Sequence, residues 1–529
     1  MNSTLNNFFN ISDRYKLILI IISVIYFSIK FYFANKETQY RKFAPDLANE
    51  FVLINEIIKN GHRFPKKFEQ YEIGEALYPP LFQWFASFLP QKHLAKFSYI
   101  VPILIDYILF LVLLFSCIVL FDHENYLIIS AMLFIFHPIW HLWKNRTYSF
   151  SSRAPGCLFY TVAIFSSIQY YLTDEIAYLL LSLIFTIFTL LTHRFASQTL
   201  FFTVIFFTIF VSNIFLIIFS LGLILSQILT FGYYSRIFRG HIGAFYYFKI
   251  FDNRYGEVSG ESEIRKFLNA LLNPISKNLR GNTLFGYFKR NLILISLIFY
   301  PMSTKNFDLQ FNTFFDMFFL WSFILPFLMI LTSFHSTRFL GRPERYLEYG
   351  ILPLIILSVH ILNIGYYNLT YAYWMLFQAI LALSILLGLF YTIKQDYNLK
   401  YGKKSNFKES YFLERSASYD NLFKFMNKQK NGLVLSTRIN FLHHVALKTN
   451  HKVLYNMAAN DITAVKLLDK IIGKFPLPNL DFVSEKYIFD YYIYEKEYLK
   501  KEKIFKEYSE IQGFETIYED KFYAVKGKN

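Results

Sequence analysis

The side chains of this sequence with the greatest chemical potential are acids and arginines that interrupt apolar segments. Asp46 begins a helical pattern, where a carboxylate could accept a proton from an attacking hydroxyl or could simply oppose the helix dipole. Arg338, Arg342 and Arg345 fall within eight residues, together with Glu344. A planar guanidinium group donates two hydrogen bonds to a phosphate and keeps its charge. The cluster therefore predicts either a phosphate site or basic anchors for lipid head groups.

Other charged residues lie inside apolar runs or at their ends. Arg153 and the pair His193-Arg194 are further candidates for phosphate contacts, as is Arg146. Asp106 lies within an apolar run, where a charge is costly, so we expect it to line a cavity or to pair with an arginine.

Metal and thiol chemistry have less support. His137 and His141 are one helical turn apart, which is the spacing of two metal ligands, but no third ligand accompanies them. Cys117 and Cys157 lie inside apolar runs, which excludes a disulfide framework and a cysteine-based metal site. The sequence identifies no cofactor and leaves only a divalent metal open.

The elements that must position these residues follow from composition. Of the 529 residues, 54% are hydrophobic and 17% are charged, whereas a soluble domain is nearer a quarter charged. This excludes a soluble, disordered or collagen-like protein and predicts an integral membrane protein. The net charge of +16 is spread over several connecting segments and a tail. We therefore expect membrane lipids or lipid phosphates as partners, and no nucleic acid.

Apolar runs of spanning length predict about 11 transmembrane helices within residues 1–394. The first run, 17–34, lacks a small-residue cleavage site and is interpreted as an uncleaved anchor. A first external loop (residues 35–97) holds a predicted amphipathic helix, Asp46–Lys59, on the membrane surface. The amphipathic, basic segment 231–290 is a second external segment. The remaining spans are predicted near 98–121, 125–143, 154–172, 176–192, 197–211, 213–230, 291–303, 312–333, 346–364 and 369–393, and the block 197–230 is long for one helix and short for two with a loop.

The composition changes after Lys394 to that of a soluble domain. Strands are predicted at 432–437, 452–456, 514–518 and 521–526, and helices at 438–448 and from Asn460 or Asp461 to Gly473. Their alternation predicts a small soluble α/β domain over 395–529. An odd number of spans with a cytoplasmic N-terminus places it outside the cytoplasm, at the inner membrane if the protein is bacterial. Acidic short loops at 122–124 and 173–175 oppose this orientation, because cytoplasmic loops are usually basic.

The order of elements in the first loop resembles that of the GT-C glycosyltransferases that use polyprenyl-phosphate sugars. The residues that carry the resemblance are Asp46 in Phe-Ala-Pro-Asp-Leu-Ala-Asn-Glu and Tyr78 in Tyr-Pro-Pro-Leu, over roughly residues 15–120. Protein mannosyltransferases and aminoarabinose transferases have an essential acid and a Tyr/His-Pro-Pro-Leu element in these places. They often have a second acid directly beside the first, whereas the nearest one here is Glu50, one helical turn further on.

This resemblance implies a fold and an activity. The fold would be GT-C-like, and the donor a polyprenyl-phosphate sugar. Asp46 would deprotonate a hydroxyl of a glycan, lipid or protein acceptor, and the attack would invert the anomeric carbon. The substrate would be bound by a wider set of residues: Glu50, Tyr78, Asp106, Arg153, His193, Arg194, Arg338, Arg342, Glu344 and Arg345.

Two other functions fit a chain with many spans. A transporter or lipid flippase should show related halves with broken spans in matching positions, and the sequence shows no such pairing. A polysaccharide polymerase would also have many spans and basic external loops, but would lack the order from Asp46 to Tyr78 in its first loop.

Overall fold

The computed structural model of this chain is predominantly helical. It describes residues 13–41, 45–73, 75–121, 124–138, 150–254, 268–269, 272, 283–304, 311, 313–334, 336–341, 343–400, 409–437, 441–455, 461–472, 478–501, 511 and 513–528. The α-helices of these residues, in chain order, are α1 (Asp13–Arg41), α2 (Pro45–Lys59), α3 (Leu81–Ser87), α4 (Gln91–Phe97), α5 (Ile100–Leu120), α6 (Glu124–Ile135), α7 (Arg153–Thr173), α8 (Ile176–Thr192), α9 (Arg194–Phe210), α10 (Ile214–Leu229), α11 (Tyr233–Arg254), α12 (Thr283–Arg290), α13 (Ser296–Ser303), α14 (Phe314–Leu331), α15 (Glu344–Leu347), α16 (Ile351–Asn368), α17 (Tyr371–Lys400), α18 (Glu409–Met426), α19 (Leu442–Lys448), α20 (Ile462–Ile471), α21 (Leu480–Lys486) and α22 (Lys496–Lys501). Six strands accompany them: β1 (Tyr71–Ile73), β2 (Leu433–Ser436), β3 (Lys452–Tyr455), β4 (Tyr491–Glu495), β5 (Phe514–Glu519) and β6 (Tyr523–Lys528).

The chain divides into two compact units. The first, which we call the helical unit, comprises residues 1–38, 96–231 and 260–397. The second, which we call the sheet unit, comprises residues 39–95, 232–259 and 398–529. The sheet unit thus combines much of the first loop with residues 398–529, which we call the C-terminal segment. The predicted domain boundary between residues 394 and 395 stays a prediction.

The helical unit consists of apolar helices joined by short connections. α7, α8, α9 and α10 follow one another with one to three residues between them, so neighbouring helices run antiparallel. The break at 211–213 shows that the apolar block 197–230, which the sequence left as one helix or two, contains two helices. Large aromatic side chains fill the interior, and Trp321 and Tyr160 are fully buried.

The helices confirm a polytopic helical membrane protein but not the predicted number of spans. Among the described residues, five helices are long and apolar enough to cross a membrane, or six if α10 and α11 form one broken span. The five begin at Lys16, Ile100, Phe314, Arg345 and Tyr371. Four further apolar helices are shorter: 125–135, 176–192, 194–210 and 292–303. The count of 11 therefore remains a prediction.

The sheet unit is built on one six-stranded sheet in the order β1-β3-β2-β4-β6-β5. β1, β3, β2 and β4 are parallel, and β6 and β5 add antiparallel pairs at one side. The strands predicted in the C-terminal segment are confirmed, and Asp461 caps α20 by accepting a hydrogen bond from the Ala464 N–H at 2.8 Å.

The helix predicted at Asp46–Lys59 is confirmed as α2 (Pro45–Lys59), whereas its position on the membrane surface stays a prediction. Its apolar residues Val52, Leu53 and Ile57 belong to the same buried core as the residues of the sheet. This face of α2 is therefore covered by protein, because α2 packs against α19.

Candidate functional site

The turn that precedes α16 brings several of the predicted residues together in the helical unit. After α14 the chain forms a 3₁₀ turn (Arg338–Leu340), then α15 and a second 3₁₀ turn (Glu348–Gly350). Gly341 lies between them with φ of +121°, and a Cβ atom there would lie 2.3 Å from the Phe195 ring. Only glycine fits both the backbone angle and the close approach, so the turn packs on the first residues of α9.

Arg153, the first residue of α7, pairs with Glu348 of this turn. One terminal nitrogen of the guanidinium lies 3.1 and 3.3 Å from the two carboxylate oxygens. The side chains are 16% and 2% exposed, so the pair is largely removed from water. The Cys157 thiol, one helical turn along α7, donates to the Glu348 carbonyl at 3.7 Å. The pair therefore fixes both the charge and the backbone of the turn against α7.

His193 occupies the junction between α8 and α9. Its Nδ1 atom accepts a hydrogen bond from the Ala196 N–H at 3.4 Å, which caps α9, and the Tyr349 hydroxyl lies 3.3 Å from the same nitrogen. A Cβ atom on Gly156 would lie 2.7 Å from the Cβ of His193, so the α7 backbone approaches this junction closely. His193 and the following Arg194 thus lie where α7, α9 and the turn meet.

Arg345 lies over the face of the Phe195 ring, with its guanidinium carbon 4.6 Å from the ring centre. Such cation–π contacts hold the charge in place while the N–H donors point along the edge of the guanidinium plane. The neighbouring Tyr346 is anchored from two sides: Gln198 donates to its hydroxyl at 2.8 Å, and that hydroxyl donates to the Leu340 carbonyl at 3.0 Å.

We call Arg153, His193, Arg194, Arg345, Glu348 and Phe195 the arginine site. Four of these residues were predicted from the sequence, whereas Glu348 and Phe195 were not. The signal for Glu348 was its position three residues after Arg345 and directly before an apolar run, where an acid needs a partner. Arginines that are partly buried, and paired or stacked on neighbouring elements, are suited to an anionic ligand of phosphate type.

Several residues predicted from the sequence lie away from the arginine site, and others lie outside the described residues. Asp106 is buried in α5 of the helical unit. Glu50 and Tyr78 belong to the sheet unit, where the buried Glu50 carboxylate accepts a hydrogen bond from Gln83 of α3 and Tyr78 packs against the core. Arg342 lies outside the described residues, as do the side chains of Asp46, Arg338 and Glu344, which stay predictions together with Arg146 and His141.

Metal binding gains no support from the described residues. Among them, no group of three His, Cys, Asp or Glu side chains could hold a metal ion. The arginine site presents cations, so its chemistry favours an anion over a metal.

Comparisons with known proteins identify the fold. No family model matches the sequence, and no curated protein matches it. Among solved structures, the chain is similar to ArnT from Cupriavidus metallidurans, crystallised bound to undecaprenyl phosphate, with a TM-score of 0.53, 11% identity and coverage of 96% of this chain and 97% of that one. It is also similar to the apo oligosaccharyltransferase of Archaeoglobus fulgidus, with a TM-score of 0.50, 13% identity and coverage of 91% and 70%.

These similarities span nearly the whole chain, although the identities are low, so what they establish is the fold. The fold expected from the first-loop resemblance is therefore confirmed, since the chain shares the fold of these two solved structures.

Proposed function

We propose that this protein is a membrane glycosyltransferase that moves a sugar from a polyprenyl-phosphate-linked donor to a hydroxyl acceptor. The observation that carries the proposal is the arginine site, which holds the guanidinium groups of Arg153 and Arg345 on adjoining elements of the helical unit and includes Arg194 at the start of α9. The donor of such a reaction carries its negative charge on phosphate, and that charge increases as the phosphate leaves. Partly desolvated guanidinium groups stabilise the developing charge more strongly than they would in water.

In the proposed reaction, the acceptor oxygen forms a bond to the anomeric carbon while the bond from that carbon to the phosphate oxygen breaks. The electron pair of the broken bond stays on the phosphate, which the arginines bind. The proton of the acceptor hydroxyl passes to Asp46, the base that the first-loop resemblance implies. Attack opposite the leaving group inverts the anomeric carbon.

The fold supports the choice of donor. A solved structure of similar fold was crystallised with undecaprenyl phosphate, a polyprenyl phosphate. We propose that transfer occurs at the outer membrane face, with the C-terminal segment outside the cytoplasm and a glycan, lipid or protein as acceptor. The orientation can be tested with a reporter that is active only in the cytoplasm, fused after Asn529. Activity of this reporter would refute the proposed orientation.

The test is transfer of a labelled sugar from a polyprenyl phosphate by the purified protein. Arg345→Ala should raise the donor KM at least about tenfold, since a hydrogen bond to a charged group contributes about 1.5–3 kcal/mol. Asp46→Asn should lower kcat while the donor KM changes little.

Arg415→Ala is the control, because Arg415 is a partly buried arginine that pairs with Glu495 at 3.1 Å and lies in the sheet unit. It should leave the donor KM unchanged. Equal donor KM values for wild type and Arg345→Ala would refute the phosphate assignment, and equal turnover by Asp46→Asn would refute the base.

A further inference from the structure

The first loop supplies part of the sheet that the C-terminal segment forms. β1 pairs in parallel with β3, so that Tyr71 is opposite Val453 and Ile73 is opposite Tyr455. The Val453 N–H donates to the Gln70 carbonyl at 2.8 Å, which extends the pairing by one residue. The loop therefore provides an edge strand to a sheet whose other strands all come from the C-terminal segment.

Helix α19 connects the same two parts of the chain a second time. It packs on α2, and Val445 and Ala446 of α19 share a buried core with Val52 and Leu53 of α2. α2 also carries Glu50, whose carboxylate is hydrogen-bonded to Gln83 of α3. The helix on which Asp46 lies is thus supported by α19 within the sheet unit.

One buried hydrogen bond joins α19 to β1. His443 Nδ1 and the Tyr71 hydroxyl are 2.8 Å apart, and both side chains are buried. Burial lowers the pKa of His443 to about 3 and raises the pKa of Tyr71, so both are neutral at physiological pH. One of the two groups donates and the other accepts, according to which ring nitrogen of His443 carries the proton. Loss of either partner leaves a polar atom buried without its hydrogen bond, and a movement of β1 or α19 would relieve this cost.

We propose that the C-terminal segment serves catalysis as the support of the first loop, and that His443 is the positioning residue that fixes this loop through Tyr71. This inference rests on the proposed function, because Asp46 is the group whose position it explains. A catalytic group that moves by about 1 Å can lose about a hundredfold in rate. His443 should therefore affect turnover without touching the donor.

The neighbouring histidine provides a matched control. His444 Nδ1 lies 2.8 Å from the Tyr419 hydroxyl, and both of these side chains are buried as well. Tyr419 belongs to α18 of the C-terminal segment, so this hydrogen bond does not reach the first loop. Removing it should cost comparable stability and leave the loop in place.

The experiment compares His443→Phe, His443→Asn, Tyr71→Phe and His444→Phe in the full-length protein. His443→Phe and Tyr71→Phe should each lower kcat at least about tenfold per folded enzyme, with the donor KM within about twofold of wild type. His443→Asn should recover most of the rate, since its carboxamide can accept a hydrogen bond from the Tyr71 hydroxyl or donate one to it. Tyr71→Phe keeps the ring and serves if His443→Phe does not fold. Equal losses of kcat in His443→Phe and His444→Phe would overturn the proposal.

A second measurement separates this inference from the proposed function. Limited trypsin digestion at the exposed Lys66 and Lys67, just before β1, reports on the loop without any substrate. Cleavage should be faster in His443→Phe and Tyr71→Phe than in wild type, and unchanged in His444→Phe. If wild type transfers no sugar but the digestion follows this pattern, only the proposed function fails. If digestion is unchanged in all variants, the support of the loop by His443 is refuted.

Discussion

Removing Glu348 tests the arginine site most directly. Its carboxylate is 2% exposed and meets a guanidinium nitrogen of Arg153 at 3.1 Å, and Arg153 itself is only 16% exposed. Breaking a buried pair by neutralising one partner typically costs about 3–5 kcal/mol, because the other charge stays in a poorly solvating environment. We therefore expect Glu348→Gln to lower the free energy of unfolding in detergent by about 3 kcal/mol, and to raise the donor KM because Arg153 is no longer held.

A double-mutant cycle separates the ion pair from general damage. Arg153→Met combined with Glu348→Met removes both charges, so the loss should be smaller than the sum of the two single losses. Glu495→Gln, which breaks the ion pair between Arg415 and Glu495 in the sheet unit, serves as control. The two side chains of this pair are also 3.1 Å apart, and Arg415 is 25% exposed and Glu495 7% exposed. It should reduce stability without changing the donor KM. Additive losses for Arg153 and Glu348, or a donor KM that rises equally in Glu495→Gln, would refute the reasoning.

Three further outcomes follow from the same structure. Below pH 6.5 His443 is protonated in the unfolded chain, whereas the buried imidazole of the folded protein stays neutral until about pH 3. The unfolded state therefore gains protons first as the pH falls, and the folded protein loses about 1.4 kcal/mol of stability per pH unit between these two values. Urea unfolding at pH 7.5 and 5.5 should therefore show a smaller pH effect in His443→Asn than in wild type. Gly341→Ala should lower the free energy of unfolding in detergent by about 1–3 kcal/mol, because a side chain at this backbone angle is strained and contacts the Phe195 ring. Phe195→Leu should raise the donor KM by about 2- to 30-fold through loss of about 0.5–2 kcal/mol of cation–π energy with Arg345, whereas Phe195→Trp should preserve it.

Local patterns explain which parts of the fold were predictable. The strands β2 and β3 are short apolar runs bounded by turn residues, and α2 has apolar residues at helical spacing. The local sequence is therefore sufficient to predict these three elements. β1 was not predicted, because a three-residue strand has no local signature. Its identity depends on β3, and the hydrogen bond between Tyr71 and His443 joins residues 372 apart in the sequence.

The arginine site was predictable in its residue types but not in its geometry. Arg153, His193 and Arg345 were identified one by one, since charges beside apolar runs are costly unless they have a role. Their convergence depends on Gly341, whose backbone angle turns the chain onto α9, and on packing between helices that no single segment encodes. Glu348 follows from the same packing: it becomes a necessary partner only once Arg153 is placed opposite it.

The long separation between β1 and its partner has a consequence for how the protein folds. Closing a loop of this length costs conformational entropy before any contact compensates for it, so such pairings form late. During synthesis, β1 and α2 emerge before the residues that cover them, and Val52, Leu53 and Tyr71 find their buried surroundings only when α19 and β3 exist. The first loop is therefore completed by α19 and β3 of the C-terminal segment. With Asp46 as the proposed base, the activity of the enzyme is acquired only when α19 and β3 have folded, which gives the C-terminal segment a role in catalysis through the first loop.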